Sequence, residues 1–468
     1  MGIFCKIAAM LGFGSTDKNE QESSPAEPEG KAAQSEQQSQ QKTETVKPMV
    51  SSIKKYVLIG AGPASVRAAE TLRKADAKCI ITMIGLEKEA PYSRMALPYY
   101  LSGMIEDTGT HLRKTDNHFE SLNIVHIRAK VEKVEPKQQQ VTLENGDVFE
   151  YDKLMIATGS RPANSPFPGA DNDGVVNCWT LEDGRKIIDS IKPGSKVALL
   201  GAGFVASIII EPLIKRGADL TVMMGRTGQM VSRMMDETAG GMIKTWCESK
   251  GVTTILPSSI KSIEAGPALK RDDDSLTEFD LIIVATGVYS NIEFLEGTGI
   301  KTDAGVLVNA ALRTNVRHIY AAGDVAQGVD FSTGSKVVHA IQPTAVDHGR
   351  IAAVNMMGGN STYKGSLSMN VLDTAGLIST SFGSWGGVDG GETATLVDMD
   401  NFKYVRLNFK GDKLVGAITV GRTDYIGVMR GLIQSEVPLG EWKEKLIEDP
   451  TLLMNAYLAQ SLDVARAS

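Results

Sequence analysis

One design occurs twice in this chain, and both copies share the same beginning and the same end. The first opens with Val57-Leu58-Ile59-Gly60-Ala61-Gly62-Pro63-Ala64-Ser65, the second with Val197-Ala198-Leu199-Leu200-Gly201-Ala202-Gly203-Phe204-Val205-Ala206. Each reads as a buried strand, a tight glycine turn and the start of a helix. The first glycine of such a turn allows a sharp reversal, and the second lets the main chain approach a ligand with no Cβ between them. The helix N-terminus then faces a pyrophosphate with unsatisfied N–H groups. Each copy closes on an apolar strand and a small-residue turn, Ile156-Ala157-Thr158-Gly159 and Val284-Ala285-Thr286-Gly287. A lone glycine turn is weak evidence, whereas a module repeated at both ends is seldom produced by chance. Two modules predict two dinucleotides, with electron transfer between them.

The rest of the chain fits this frame. Residues 123–151 alternate apolar and polar side chains (Val131, Val134, Val141, Leu143, Phe149, Tyr151) around an Asn145-Gly146 turn, a β-meander, and residues 258–280 predict another. His318-Ile319-Tyr320-Ala321-Ala322-Gly323-Asp324 is a further strand, ending in an acid. A helix from about Thr344 to Met357 is expected to return the chain to the first module. Beyond Leu367, strand-like segments 404–409 and 414–420 precede amphipathic stretches at 423–435 and 439–447, a third unit of α+β type. Residues 15 to about 50 are rich in Gln, Glu, Ser and Lys, so a disordered tail is expected over 1–50. Its first 13 residues carry Ile3, Phe4, Ile7, Met10 and Leu11 around Lys6, which fits either a frayed terminus or a peripheral, interfacial or partner-docking helix.

Several function classes are excluded. A formal net charge of −7 lacks the basic footprint of a nucleic-acid binder. The cysteines stand alone at 5, 79, 178 and 247, with no CxxC pair, so neither a zinc site nor a dithiol relay is expected. Such scattered cysteines suit a reducing, cytoplasmic compartment. Val197–Ile214 has Glu211 as its one charge, yet its glycines fit a buried strand and helix better than a transmembrane span.

Taken in order, the GxGxxS, ATG, GxGxxA, ATG and AAGD motifs resemble the two-dinucleotide flavoprotein reductases of the pyridine nucleotide–disulfide oxidoreductase superfamily, from about residue 53 to the end. Ile84-Gly85-Leu86-Glu87 followed by Pro91-Tyr92-Ser93-Arg94 is similar to the branch holding rubredoxin reductases, oxygenase-type ferredoxin reductases and NADH oxidases. The resemblance implies an α/β fold of two interleaved, three-layer Rossmann-like domains binding FAD and NAD(P), plus a C-terminal α+β interface domain. The expected boundaries are 51–170 and 303–365 for the FAD domain, 171–302 for the NAD(P) domain and 366–468 for the last.

The same resemblance assigns roles. Gly60, Gly62, Pro63 and Ala64 would hold the FAD pyrophosphate, with Ser65 in place of the usual third Gly or Ala. Glu87 would accept from the adenosine ribose hydroxyls and Arg94 would meet the phosphates. Asp324, after Gly323, would accept from the ribityl chain. Val131 would face adenine, Arg161 would also touch FAD, Thr158 and Gly159 would form the turn beside the cofactor, and Ile341-Gln342 would face the flavin ring. On the other nucleotide, Gly201, Gly203, Val205 and Gly287 would line the site, and Phe204 would cover the flavin until nicotinamide displaces it. His339 and His348 read as structural.

Departures from the family pattern matter as well. Met95 occupies the place of the redox cysteine in coenzyme A–disulfide reductases and NADH peroxidases, so a thiol mechanism lacks its nucleophile. Tyr99 stands where ferredoxin reductases have a lysine, and Ile208 where a glutamate is frequent. Thr221-Val222-Met223-Met224-Gly225-Arg226 offers no carboxylate for a ribose 2′-hydroxyl, and Arg226 could meet a 2′-phosphate, leaving NADH and NADPH both open. The reading is an FAD-dependent NAD(P)H:acceptor oxidoreductase with no catalytic side chain and no metal. Its acceptor would be an iron–sulfur or rubredoxin-type protein or a small molecule. The alternatives are a flavin-binding scaffold subunit with a degenerate nicotinamide site, or an NADH oxidase. Arg422, Arg430, Lys443 and Lys445 are candidates for an acidic redox partner, and a homodimer is compatible with the pattern.

Overall fold

The structure is a computed structural model that describes residues 53–225, 227–256 and 260–467. The expected tail and Arg226 lie outside the described residues. In the first module, strand Lys55–Ile59 is the middle of a five-stranded parallel sheet. Lys153–Ile156 and then Ile319–Ala321 lie on one side of it, Ile80–Gly85 and then Ile124–Arg128 on the other. The second module repeats the plan around Lys196–Leu200. Leu281–Val284 and Val175–Asn177 flank it on one side, Asp219–Met223 and Thr253–Ile255 on the other. In both modules the glycine-turn strand therefore pairs directly with the strand leading to Ala-Thr-Gly.

Parallel strands covered on both faces need apolar side chains at every position, which is why these segments read as unbroken hydrophobic runs. Along Lys196–Leu200 the period of two divides them. Val197 and Leu199 share a core with Ile209, Ile210 and Met242 of the helices Phe204–Lys215 and Glu237–Ser249. Ala198 and Leu200 pack instead with Ile263 and Leu269 of an antiparallel sheet formed by Ile260–Glu264, Ala268–Arg271 and Leu276–Glu278. Helix, parallel sheet and meander thus form three layers. The first module has the same parts, with its meander at Val131–Glu135, Gln140–Leu143 and Val148–Glu150. Ile124–Arg128, expected within that meander, joins the parallel sheet instead. Its partner strand lies about forty residues upstream, so its place is set by pairing and not by local alternation.

Helix Gln342–Met356 packs against helix Pro63–Ala75, as expected of a segment returning to the first module. The crossing is close: a Cβ on Gly349 would lie 2.2 Å from the carbonyl oxygen of Ala64. The C-terminal segment forms an antiparallel sheet in the order Met369–Thr374, Leu377–Gly383, Lys413–Val420, Lys403–Lys410, Glu392–Asp398. One set of its residues, Phe382, Leu407 and Phe409, packs with Met429, Leu432 and Leu446 of the helices that follow. Leu372, Tyr404, Ile418 and Val420 belong to the core of the second module. A closing helix, Leu453–Ala467, was not anticipated from the sequence.

Gly60 and Gly201 lock the two modules. Their φ angles are +114° and +118°, and a Cβ would meet the carbonyl oxygens of Ala157 and Ala285 at 2.1 and 2.4 Å. Gly60→Ala should combine left-handed strain with a backbone clash, costing roughly 3 kcal/mol. A urea midpoint unchanged from wild type would contradict this account.

Candidate functional site

Both glycine turns open into one cavity of about 1520 Å³. All the expected site residues lying within the described chain line it: Gly60, Gly62, Pro63, Ala64, Glu87, Arg94, Val131, Thr158, Gly159, Arg161, Gly323 and Asp324 from the first module, and Gly201, Gly203, Phe204, Val205 and Gly287 from the second. Ile341 and Gln342 line it too. At each helix start the N-cap is a glycine, Gly62 or Gly203, with no side-chain cap. A Cβ placed on either glycine would meet no atom within 4 Å. These turns are therefore open cradles whose N–H groups have no partner supplied by a cap, as an anionic pyrophosphate requires. The residues fit two dinucleotides.

Glu87 and Arg94, expected at separate parts of a ligand, are bonded to each other here. Arg94 Nη2 donates to Glu87 Oε1 at 2.6 Å, and the Tyr92 hydroxyl donates to Oε2 at 2.6 Å. Arg94 Nη1 also bonds the Tyr92 hydroxyl (2.6 Å) and the Trp179 carbonyl (3.0 Å). Burial opposes the Arg94 charge, but Tyr92 and Glu87 outweigh it and hold its pKa above the ordinary value. Each Glu87 oxygen keeps a second acceptor direction, so the network can still take a ribose hydroxyl. Tyr92 and Trp179 were not singled out from the sequence. An aromatic next to Ser-Arg is the one local signal for Tyr92, and nothing near Trp179 marks it.

Around Asp324 the polar groups are tied down. Ser160 Oγ donates to Asp324 Oδ2 at 2.9 Å, and Ser290 Oγ donates to its carbonyl at 2.8 Å. Burial raises the Asp324 pKa, with Ser160 and Arg94 pulling the other way. Thr158 and Asn291 clamp each other: Thr158 Oγ1 donates to the Asn291 carbonyl (2.8 Å), and Asn291 Nδ2 to the Thr158 carbonyl (2.9 Å). Arg161 is held by Glu293, Nη2 to Oε1 at 2.6 Å, at the edge of the cavity. His348 is buried, and its Nδ1 accepts from the Gly323 N–H at 3.3 Å. Burial, then His339, lower its pKa to about 3, so it stays neutral and serves the turn. His339 sits 3.0 Å from the buried carboxylate of Asp330, also within the fold.

The floor between the modules is apolar, with Met95, Pro98, Phe204 and Ile208 lining it. Cys178 lines the cavity as well, but burial pushes its thiol up to about 12, so it carries no thiolate at neutral pH. On the far side, strand Asp219–Met223 ends without an acid, and the lip comprises Gln229, Val231, Ser232, Arg233 and Met234. Arg233 is exposed and was not foreseen, because it lies ten residues past the strand end at Met223. Three of the four suggested basic residues already have partners within the chain. Lys443 is bonded to Glu392, Lys445 lies 4.3 Å over the Trp442 ring, and Arg430 donates to Gln434. Among the described residues no group of acidic, His and Cys side chains could hold a metal, and no helix is long and apolar enough to cross a membrane. Val197–Ile214 divides into a strand and a helix.

Comparison with known proteins agrees with this geometry. The family model for pyridine nucleotide-disulphide oxidoreductases matches residues 54–349. The epsilon subunit of NADH-dependent phenylglyoxylate dehydrogenase from Aromatoleum evansii is 31% identical over 415 residues, 87% of this chain and 98% of the relative. An NADH oxidase from Methanocaldococcus jannaschii is 31% identical over 313 residues, 64% of this chain and 70% of the relative. Among solved structures, the reductase of the covalent putidaredoxin reductase–putidaredoxin complex shares the fold with a TM-score of 0.80 at 21% identity, covering 87% of this chain and 99% of that one. The chain belongs to the pyridine nucleotide-disulphide oxidoreductase family. It is an FAD-dependent NAD(P)H oxidoreductase.

Two variants test the site. Gly62→Ala places its methyl group in open space at φ −81°, so stability should change by only a few tenths of a kcal/mol while flavin affinity falls about tenfold or more. Normal flavin content in that variant would rule out the cradle. The second is Asp324→Asn. With its folded pKa raised, Asp324 favours the fold most below about pH 4, and that contribution is lost as pH rises through the raised value. The variant should therefore raise the thermal midpoint of flavin-free protein by a margin that widens as pH rises above about 4, while weakening flavin retention. A margin independent of pH would exclude the buried charge as its cause.

Proposed function

We propose that this chain carries electrons between NAD(P)H and a one-electron protein acceptor of the iron–sulfur or rubredoxin type. The observation that carries the reading is the single cavity shared by two open glycine cradles, one per module. When bound, the nicotinamide supplies a hydride and the flavin accepts it and can release electrons singly. The protein's own contribution is placement. The N-termini of helices Pro63–Ala75 and Phe204–Lys215 hold anionic pyrophosphates, and the Thr158–Asn291 clamp fixes the turn between the two nucleotides. Phe204, half-buried at the start of its helix, covers the junction. Met95, Pro98 and Ile208, which line the cavity, present apolar side chains and supply no proton donor.

The relatives support this choice of acceptor. They include a rhodocoxin reductase and an NADH–rubredoxin oxidoreductase, which match over most of their length. A disulfide acceptor is disfavoured, since Cys79, Cys178 and Cys247 are buried and Met95 stands in the expected thiol position. For the donor, the missing acid after Met223 and the exposed Arg233 favour acceptance of NADPH alongside NADH.

Anaerobic stopped-flow tests the reading. NADH or NADPH should bleach the bound flavin, and a rubredoxin or [2Fe–2S] ferredoxin should reoxidise it faster than oxygen does. Iodoacetamide treatment should leave the bleaching rate within about twofold of the untreated protein, because the cysteines among the described residues, Cys79, Cys178 and Cys247, are buried. Failure of both nucleotides to bleach the flavin would leave a scaffold role, and faster reoxidation by oxygen would make the chain an oxidase.

A further inference from the structure

The lip of the second module is bent into a conformation that its own residues resist. Val231 has a φ of +48°, a region closed to relaxed β-branched residues, and it is buried. Its N–H donates to the carbonyl of Ala202, between the two glycines of the turn, at 2.7 Å. Gln229 Nε2 donates across the loop to the carbonyls of Met235 and Asp236, at 2.8 Å each. Ser232 and Arg233, at the crest of this loop, are exposed and line the cavity.

The loop ends at Asp236, where the C-terminal sheet takes hold of it. Asp236 Oδ1 caps helix Glu237–Ser249 by accepting from the Ala239 N–H at 3.0 Å. Its Oδ2 accepts from the Tyr404 hydroxyl at 2.6 Å and from Arg406 Nη1 at 3.0 Å. Both donors sit on strand Lys403–Lys410, and Arg406 is oriented in turn by Asn408 Oδ1 (3.1 Å) and the Gly386 carbonyl (3.3 Å). Near its other end the helix is held by Trp246 Nε1, which donates to the Ala375 carbonyl at 3.0 Å. A strained loop keeps its shape only while its surroundings over-determine it.

The geometry assigns Tyr404 and Arg406 as positioning residues for the pyridine nucleotide. Acting through Asp236, they hold the lip at 229–235 so that Ser232 and Arg233 meet the bound donor, and the C-terminal sheet thereby sets donor affinity. This rests on the reading of the second module as the NAD(P)H site. The hydrogen bonds of the clamp reach neither the flavin cradle nor the apolar floor, so its loss should change donor binding and leave flavin retention alone.

Steady-state kinetics of the flavin-loaded, full-length chain test the assignment. Arg406→Gln should raise KM for the nucleotide about tenfold, with kcat within about twofold and wild-type flavin content. Arg406→Lys should recover part of the loss, and Tyr404→Phe should raise KM about threefold, carrying the test if the glutamine variant does not fold. Trp246→Phe, which loosens the other end of the helix, should keep KM near wild type. An unchanged KM in Arg406→Gln or Tyr404→Phe would overturn the assignment, as would an equal KM shift in Trp246→Phe, which would mean general loosening. If neither nucleotide reduces the wild-type flavin, the functional reading itself fails, and this inference falls with it.

Discussion

Contact between backbone and backbone, with no side chain between, is what the two nucleotide modules depend on. Gly60 presses on the carbonyl of Ala157, and Gly201 presses on that of Ala285. Because each glycine ends a strand paired directly with the strand of its Ala-Thr-Gly segment, the turn and its partner loop reach the same edge of the sheet together. The helix following each glycine then starts at that edge, with its uncapped N-terminus toward the cavity. A side chain at either position would push the two loops apart and close the cradle. The repeated module is therefore a repeated steric solution, and the duplicated sequence is its record.

Charge at the site is managed by pairing and burial together. The Glu87–Arg94–Tyr92 network satisfies a guanidinium and a carboxylate before any ligand arrives, so neither is left uncompensated in a partly buried place. Asp324 is different. It is partly buried at the cavity wall, with Ser160 as its hydrogen-bonding partner and Arg94 nearby, and desolvation there raises its pKa. Holding an anion at this position therefore costs stability. Met95, Pro98, Phe204 and Ile208 give the shared cavity an apolar stretch, in keeping with chemistry carried by cofactors and placement supplied by the protein.

The lip beyond Met223 shows the second kind of investment, in conformation and not in charge. Val231 occupies a backbone region that valine avoids, stabilised by the Gln229 amide, the Ala202 carbonyl and a cap residue held from the C-terminal sheet. One face of that sheet packs on its own helices, while residues such as Tyr404 and Ile418 enter the core of the second module. A unit that looks like an appendage in chain order is thus part of the wall behind the nucleotide cavity.

What the sequence determined by itself is whatever is encoded within a few residues. Unbroken apolar runs specify strands covered on both faces, glycine pairs specify turns, and repetition of Gly-x-Gly with Ala-Thr-Gly identifies two nucleotide cradles and their family. Alternation around Asn145-Gly146 likewise marked a meander. Only the tertiary structure decided that Ile124–Arg128 belongs to the parallel sheet, that Glu87 and Arg94 meet each other, and that Trp179 and Arg233 border the cavity. It alone brought Tyr404 and Arg406 to Asp236 across 168 and 170 residues. The reason is physical: conformational preference and periodicity are local properties of a chain, whereas the partner of a side chain is set by sheet order and register, which no short window of residues contains.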